Sequence, residues 1–237
     1  MIAPEILDAV RAGDRRALAR VITAIEEDPS TTIPERDPAV PIVGITGPPG
    51  VGKSSLVSSL LTLLRKRGSQ AAVVAVDPSS PITGGALLGD RIRMQDHVDD
   101  PGVFVRSMAS RGHLGGLSAA TVRTVDLLTN AGFDMVLVET VGVGQSEVEV
   151  MHLADVVVLV VAPGFGDQIQ ADKAGIVEIA DVFAINKADR DGVEMVRRAL
   201  HEIASTPSRT RAVVETVATS GSGVEDLLDT LETELES

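Results

Sequence analysis

Ile42-Val43-Gly44-Ile45-Thr46 runs without a break into Gly47-Pro48-Pro49-Gly50-Val51-Gly52-Lys53-Ser54, and a helix-forming stretch over 53–67 follows. No other feature of the chain constrains its fold as much. The octapeptide matches G-x-x-x-x-G-K-[ST], and a strand before with a helix after is the context in which that spacing functions. Glycines let backbone amides converge on phosphate oxygens, and the helix behind them turns its positive dipole end toward the same charge. Lys53 is expected to neutralise β and γ oxygens, while the Ser54 hydroxyl ligates Mg²⁺. Gly47, Pro49, Gly50, Val51, Gly52 and Ser55 complete the expected cradle. The competing reading, an ordinary glycine-rich turn with a solvated lysine, has neither the strand nor the helix to explain.

Beyond this corner, short β-branched runs alternate with helical stretches. Strands are expected at 42–46, 71–76, 103–106, 135–139, 156–161, 182–186 and 213–217. Val156-Val157-Val158-Leu159-Val160-Val161 is apolar at every position, as strands covered on both faces are. Helices are expected at 53–67, 117–131, 170–179, 193–204 and 224–235. The alternation predicts an α/β fold with a mainly parallel β-sheet flanked by helices, whose ligands sit beyond the carboxyl ends of the strands. Residues 1–40 read as an N-terminal helical segment and linker, with Leu18, Val21, Ile22 and Ile25 on one helix face. Residues 41–237 read as the main domain.

Charge limits the partners. With 21 basic against 34 acidic residues the chain carries −13, so non-specific attraction to nucleic acid or anionic lipid is disfavoured and an anion needs a local site. Trp and Tyr are absent, which leaves no base-stacking platform. Absence of cysteine excludes disulfide scaffolds, thiolate-held zinc and iron–sulfur clusters. His97, His113, His152 and His201 lack metal-binding spacing. Nothing resembles a signal peptide or a membrane span, so a soluble cytoplasmic protein without nucleic-acid or membrane partners is expected.

Asn186-Lys187-Ala188-Asp189 follows the strand at 182–186. A carboxylate at Asp189 can accept from both the N1–H and the 2-amino group of guanine, donors that adenine lacks. A helix cap is the blander reading, and the two are compatible. Asp77, Asp90 and Glu139 end or follow strands, where a Mg²⁺ ligand or a water-orienting group belongs, although turn formers and caps look the same. Glu139-Thr140-Val141-Gly142 has the spacing of a γ-phosphate-sensing loop, with Gly142 offering its amide. Arg91, Arg93, Arg106 and Arg111 read as solvated charge by default, or as a reach toward a phosphate or partner.

Taken together, GPPGVGKSS, VDPSSP followed by GGALLGDRIRM, ETVGVGQSE, PGFGDQIQ and NKAD resemble the GTPases associated with adenosylcobalamin-dependent methylmalonyl-CoA mutase, a family that also carries the label arginine/ornithine (LAO/AO) transport-system kinase. The resemblance implies a P-loop NTPase of the SIMIBI class, related to signal-recognition-particle and MinD proteins. It implies Mg²⁺ contacts at Ser54, Asp77, Asp90 and Glu139. It further implies a first switch after Asp77, a second over 139–147, a third over 164–173 that answers to the partner, and a base-contacting loop at Val217 and Ala218. The implied role is a G-protein chaperone guarding cofactor loading and exchange on the mutase. A homodimer is a further expectation of the resemblance; members commonly form it through a helical C-terminal arm, and this sequence ends at Ser237.

The chemistry expected is hydrolysis of GTP by in-line attack of water, with Lys53, the loop amides and the metal holding the developing charge. Asp77 and Gln145 are the candidates to orient that water. No arginine finger stands out, which predicts slow hydrolysis accelerated by a partner. The rivals are a phosphotransferase acting on a small molecule or transport component, a nickel- or zinc-insertion GTPase, and a nucleotide-gated binding module.

Overall fold

The computed structural model describes residues 2–78, 94–97, 99–110, 118–140, 152–164, 180–206 and 209–237. All seven expected strands are present among them: β1 (Ile42–Thr46), β2 (Ala71–Pro78), β3 (Val103–Ser110), β4 (Met135–Thr140), β5 (Val156–Val161) and β6 (Val182–Asn186), then, after a two-residue antiparallel ribbon of β7 (Ser205–Thr206) and β8 (Arg209–Thr210), β9 (Ala212–Thr216). The seven pair in parallel in the order β3-β2-β4-β1-β5-β6-β9. The chain therefore completes one flank of β1 before crossing to the other, and β1 lies where the two flanks meet.

Alternate residues of the strands serve opposite faces, as the two-residue period of a strand requires. Val43, Ile45, Leu137, Val158, Val160 and Ala184 bury one face under α3 (Lys53–Lys66) and a C-terminal helix at Val224–Leu235. Ile42, Val74, Val136 and Val138 bury the other under α1 (Pro4–Arg11), α2 (Arg15–Glu27) and α4 (Ala119–Thr129). Leu159, Val161, Phe183 and Ile185 continue that second face beneath α5 (Val193–Ala204), and the helix at Val224–Leu235 is α6. Covering on both sides explains why these strands are apolar at every position rather than alternating.

The N-terminal periodicity resolves into two helices because Gly13 takes a left-handed φ of 84° and Asp14 starts the second. The Asp14 carboxylate accepts from the backbone N–H groups of Arg16 (2.8 Å) and Ala17 (3.1 Å). The Ala17 bond, then the Arg16 bond, holds its carboxyl below the usual range. Val10, Leu18, Val21, Ile22 and Ile25 are buried in the same cluster as Ile42 and Val136, so these helices share a core with the sheet.

Several boundaries differ from expectation. β3 continues past Arg106 to Ser110 because its pairing with β2 persists through Val76↔Met108, Asp77↔Ala109 and Pro78↔Ser110; backbone pairing does not require the apolar run that the sequence criterion used. α4 is shorter than 117–131, beginning where Ser118 Oγ accepts from Thr121 N at 3.1 Å and ending at Thr129. Arg106 pairs with Glu26 of α2, which ties an edge strand to the N-terminal helices and commits that arginine to the fold. The helix expected at 170–179 lies outside the described residues.

Candidate functional site

Parallel strands end on one side, and at the end of β1 the chain turns straight into α3. Gly47 makes that turn with φ 139°, so close to β5 that a Cβ there would sit 2.1 Å from the carbonyl oxygen of Val160. Gly47→Ala combines this collision with a disfavoured backbone angle, and should lower the free energy of unfolding by on the order of 2–4 kcal/mol in urea titrations. Gly50 and Gly52 take φ of 82° and 97°. Pro49 and Gly50 form the exposed tip, whereas Val51 is buried in the core.

Lys53 and Ser54, the first two residues of α3, turn inward. Lys53 is 6% exposed, and its Nζ donates to the carbonyl oxygens of Gly47 (2.7 Å) and Pro48 (3.0 Å) inside the arch of the loop. Ser54 Oγ donates to Glu139 Oε1 at 2.7 Å, with both residues buried. Parallel pairing of β1 with β4 creates this contact across 85 residues, by setting Glu139 opposite Ile45. One strand position later, Thr140 Oγ1 donates to Thr46 Oγ1 at 3.1 Å. Ammonium, hydroxyl and carboxylate thus converge at the helix N-terminus. The Ser54 and Glu139 oxygens are hard donors that suit a divalent ion such as Mg²⁺, which accepts few protein ligands and completes its shell with phosphate oxygens and water. No group of three or more His, Cys, Asp or Glu side chains able to hold a metal occurs among the described residues.

Next to this cluster lies a cavity of about 100 Å³ lined by Gly52, Ser55, Asn186, Lys187, Asp189, Arg190, Val217, Ala218 and Thr219. Asn186, buried at the end of β6, joins its parts. Its Nδ2 donates to the Val51 carbonyl (2.9 Å), and its Oδ1 accepts from Ala218 N (3.1 Å) and Thr216 Oγ1 (3.3 Å). Gly52 has to be glycine here, since a Cβ would fall 2.5 Å from that Nδ2. Among the described residues Lys187 is the non-glycine residue with positive φ, 58°, and its Nζ reaches back to the Gly50 carbonyl at 2.5 Å. A strained backbone angle of this kind is kept where the surroundings require it. Asp189 is exposed at the cavity rim.

Lys53, Ser54 and Glu139 therefore form one cluster, and Gly52, Ser55, Asn186, Lys187, Asp189, Val217 and Ala218 line the cavity beside it. Asp77 is the penultimate residue of β2, with β4 between its strand and β1. Asp90, Gly142, Gln145, Arg91, Arg93 and Arg111, the greater part of the second expected switch and residues 165–173 of the third lie outside the described residues. Thr46, Thr216, Arg190 and Ser59 were not anticipated. The two threonines end strands on the side where ligands bind, a signal that could have identified them. Ser59 Oγ donates to the Ala218 carbonyl at 2.6 Å, a contact that no local pattern announces.

Comparison with known proteins bears on the family and the fold. Residues 18–237 match the family model described as Methylmalonyl Co-A mutase-associated GTPase MeaB. A Pyrococcus horikoshii protein provisionally named a GTPase is 48% identical over 240 residues, covering 94% of this chain and 74% of the relative. The mouse protein named methylmalonic aciduria type A homolog, mitochondrial, is 39% identical over 197 residues, covering 80% of this chain and 48% of the relative. Among solved structures, an LAO/AO transport system kinase superposes with a TM-score of 0.76 at 25% identity, over 99% of this chain and 76% of the other. HypB from Helicobacter pylori, crystallised with nickel, has a TM-score of 0.61 at 14% identity over 92% of this chain and 93% of that one, a likeness of fold alone. The expected α/β P-loop architecture is thereby borne out, and the chain belongs to the methylmalonyl-CoA mutase-associated GTPase family.

Proposed function

We propose that the chain is a Mg²⁺-dependent GTPase whose nucleotide state controls an adenosylcobalamin-dependent acyl-CoA mutase, methylmalonyl-CoA mutase being the first candidate. The observation that carries the reading is contiguity: Gly52 belongs both to the loop that encloses the Lys53 ammonium and to the cavity of Asn186, Lys187 and Asp189. A nucleoside triphosphate laid along that line puts its base against Asp189 and its β and γ phosphates at Lys53.

On this reading Lys53 exchanges the Gly47 and Pro48 carbonyls for phosphate oxygens, and the loop amides add fixed dipoles aimed at the same charge. Ser54 Oγ and Glu139 would hold Mg²⁺, which supplies neutralisation of charge on the phosphate oxygens. Asp189 accepts from guanine. Asp77 and Gln145 are proposed for orienting water. Phosphoryl transfer asks for little covalent chemistry, so positioning and electrostatics supply the rate.

The family description and the mouse relative's name support the mutase partner. The reading places the protein in the cytoplasm; no helix among the described residues is long and apolar enough to cross a membrane. The test is phosphate release from GTP, with and without a purified adenosylcobalamin-dependent acyl-CoA mutase. Slow release that accelerates by about tenfold or more with the mutase is expected, a modest share of what partner-completed GTPase sites achieve. Fast release indifferent to the mutase, or phosphate transferred to an acceptor rather than to water, would overturn it.

A further inference from the structure

We propose that Ser59 is a positioning residue for base recognition: from the helix that carries Lys53, its hydroxyl holds the loop that faces the base. The inference rests on the nucleotide-site reading above and extends it to a residue with no place in the expected motifs.

The loop after β9 closes mainly on itself. Val217 N donates to the Ser222 carbonyl (2.9 Å), and Ser220 N and Gly221 N both donate to the Val217 carbonyl (3.0 Å each). These bonds set the shape of the turn without fixing where it stands. Ala218 supplies that, through both of its backbone groups. Its N–H donates to Asn186 Oδ1 on β6 at 3.1 Å, and its carbonyl accepts from Ser59 Oγ on α3 at 2.6 Å. Ala218 is also 7% exposed, packed with the core residues of α3 and α6 while lining the cavity. The loop is thus held from two elements, of which only Asn186 belongs to a recognised nucleotide motif.

A serine within a helix commonly turns its hydroxyl back to the carbonyl four residues earlier. Thr62 does this in the same helix, donating to the Ser58 carbonyl at 3.0 Å. Ser59 instead spans 159 residues of sequence to reach Ala218. Alanine would favour the helix more than serine does, so local helix stability does not account for Ser59. The physical consequence is a fixed distance: one rigid helix holds the phosphate corner at its first residue and the base loop at its seventh.

The experiment titrates the full chain with GDP and, separately, with magnesium tripolyphosphate, which offers the phosphate corner its ligand but has no base. Wild type, Ser59→Ala and Ser59→Thr are compared. For Ser59→Ala the GDP dissociation constant should rise about fivefold to tenfold, the worth of one neutral hydrogen bond. Its tripolyphosphate constant should stay within about twofold, and Ser59→Thr, which keeps the hydroxyl, should bind GDP within about twofold of wild type. Equal losses for both ligands, an unchanged GDP constant in Ser59→Ala, or the same loss in Ser59→Thr would overturn the proposal. Failure of the underlying reading shows separately, as a wild-type protein that binds ADP as well as GDP.

Discussion

Lys53→Ala is expected to lower GTP hydrolysis by roughly a hundredfold or more, the loss typical of removing one preorganised charge-stabilising donor. The effect has two parts. The ammonium that would meet the β and γ oxygens is removed, and the Gly47 and Pro48 carbonyls that it bonds at 2.7 and 3.0 Å lose their donor. In a molecule of net charge −13, no diffuse positive field compensates for a missing local cation. Lys53→Arg should restore little, because a planar guanidinium does not fit where a compact ammonium sits enclosed by a loop. Phosphate release and nucleotide titration check the result, with circular dichroism establishing that the variant is folded. Hydrolysis within about twofold of wild type would mean that the loop is not the phosphate site.

The second large effect is on choice of base. Asp189→Asn replaces an acceptor-only carboxylate by an amide that also donates, so the N1–H and 2-amino donors of guanine lose a charged partner. GTP affinity should fall about tenfold to a hundredfold, the range for a hydrogen bond to a charged group. Xanthosine triphosphate, which carries oxygen where guanine carries the 2-amino group, should gain relative to GTP. Asp189 lies exposed at the rim of its cavity, and screening by water keeps the expected loss below what a buried carboxylate would show. An unaltered preference for GTP would reduce Asp189 to the turn or cap role that its position also allows.

What the sequence revealed, and what it hid, follows from the range of each interaction. The strand Val156–Val161 and the corner Gly47–Ser54 were legible because burial on both faces and phosphate geometry each leave a mark within a few consecutive residues. Asn186-Lys187-Ala188-Asp189 was legible for the same reason, and the cavity does gather those residues with Val217 and Ala218, apart from Ala188. The end of β3 was not, since the register with β2 continues from Ser107 to Ser110 although two of these four residues are serines and no continuous apolar run marks them; Met108 among them is buried in the core. Contacts between distant elements left no local trace either. Nothing near Ser54 announces Glu139, nothing near Arg106 announces Glu26, and nothing near Ser59 announces Ala218; each pair meets only once the sheet is ordered.

Isothermal titration of the wild-type chain with GTP, GDP and ATP, each with and without Mg²⁺ and repeated on Lys53→Ala, decides whether an acidic molecule holds a guanine nucleotide at its first βα corner. One site per chain is expected, with ATP bound about a hundredfold or more weakly than GTP, GTP binding strengthened by Mg²⁺, and no binding of GTP or GDP in Lys53→Ala. Binding of ATP equal to that of GTP, or GTP affinity that survives the loss of Lys53, would contradict it.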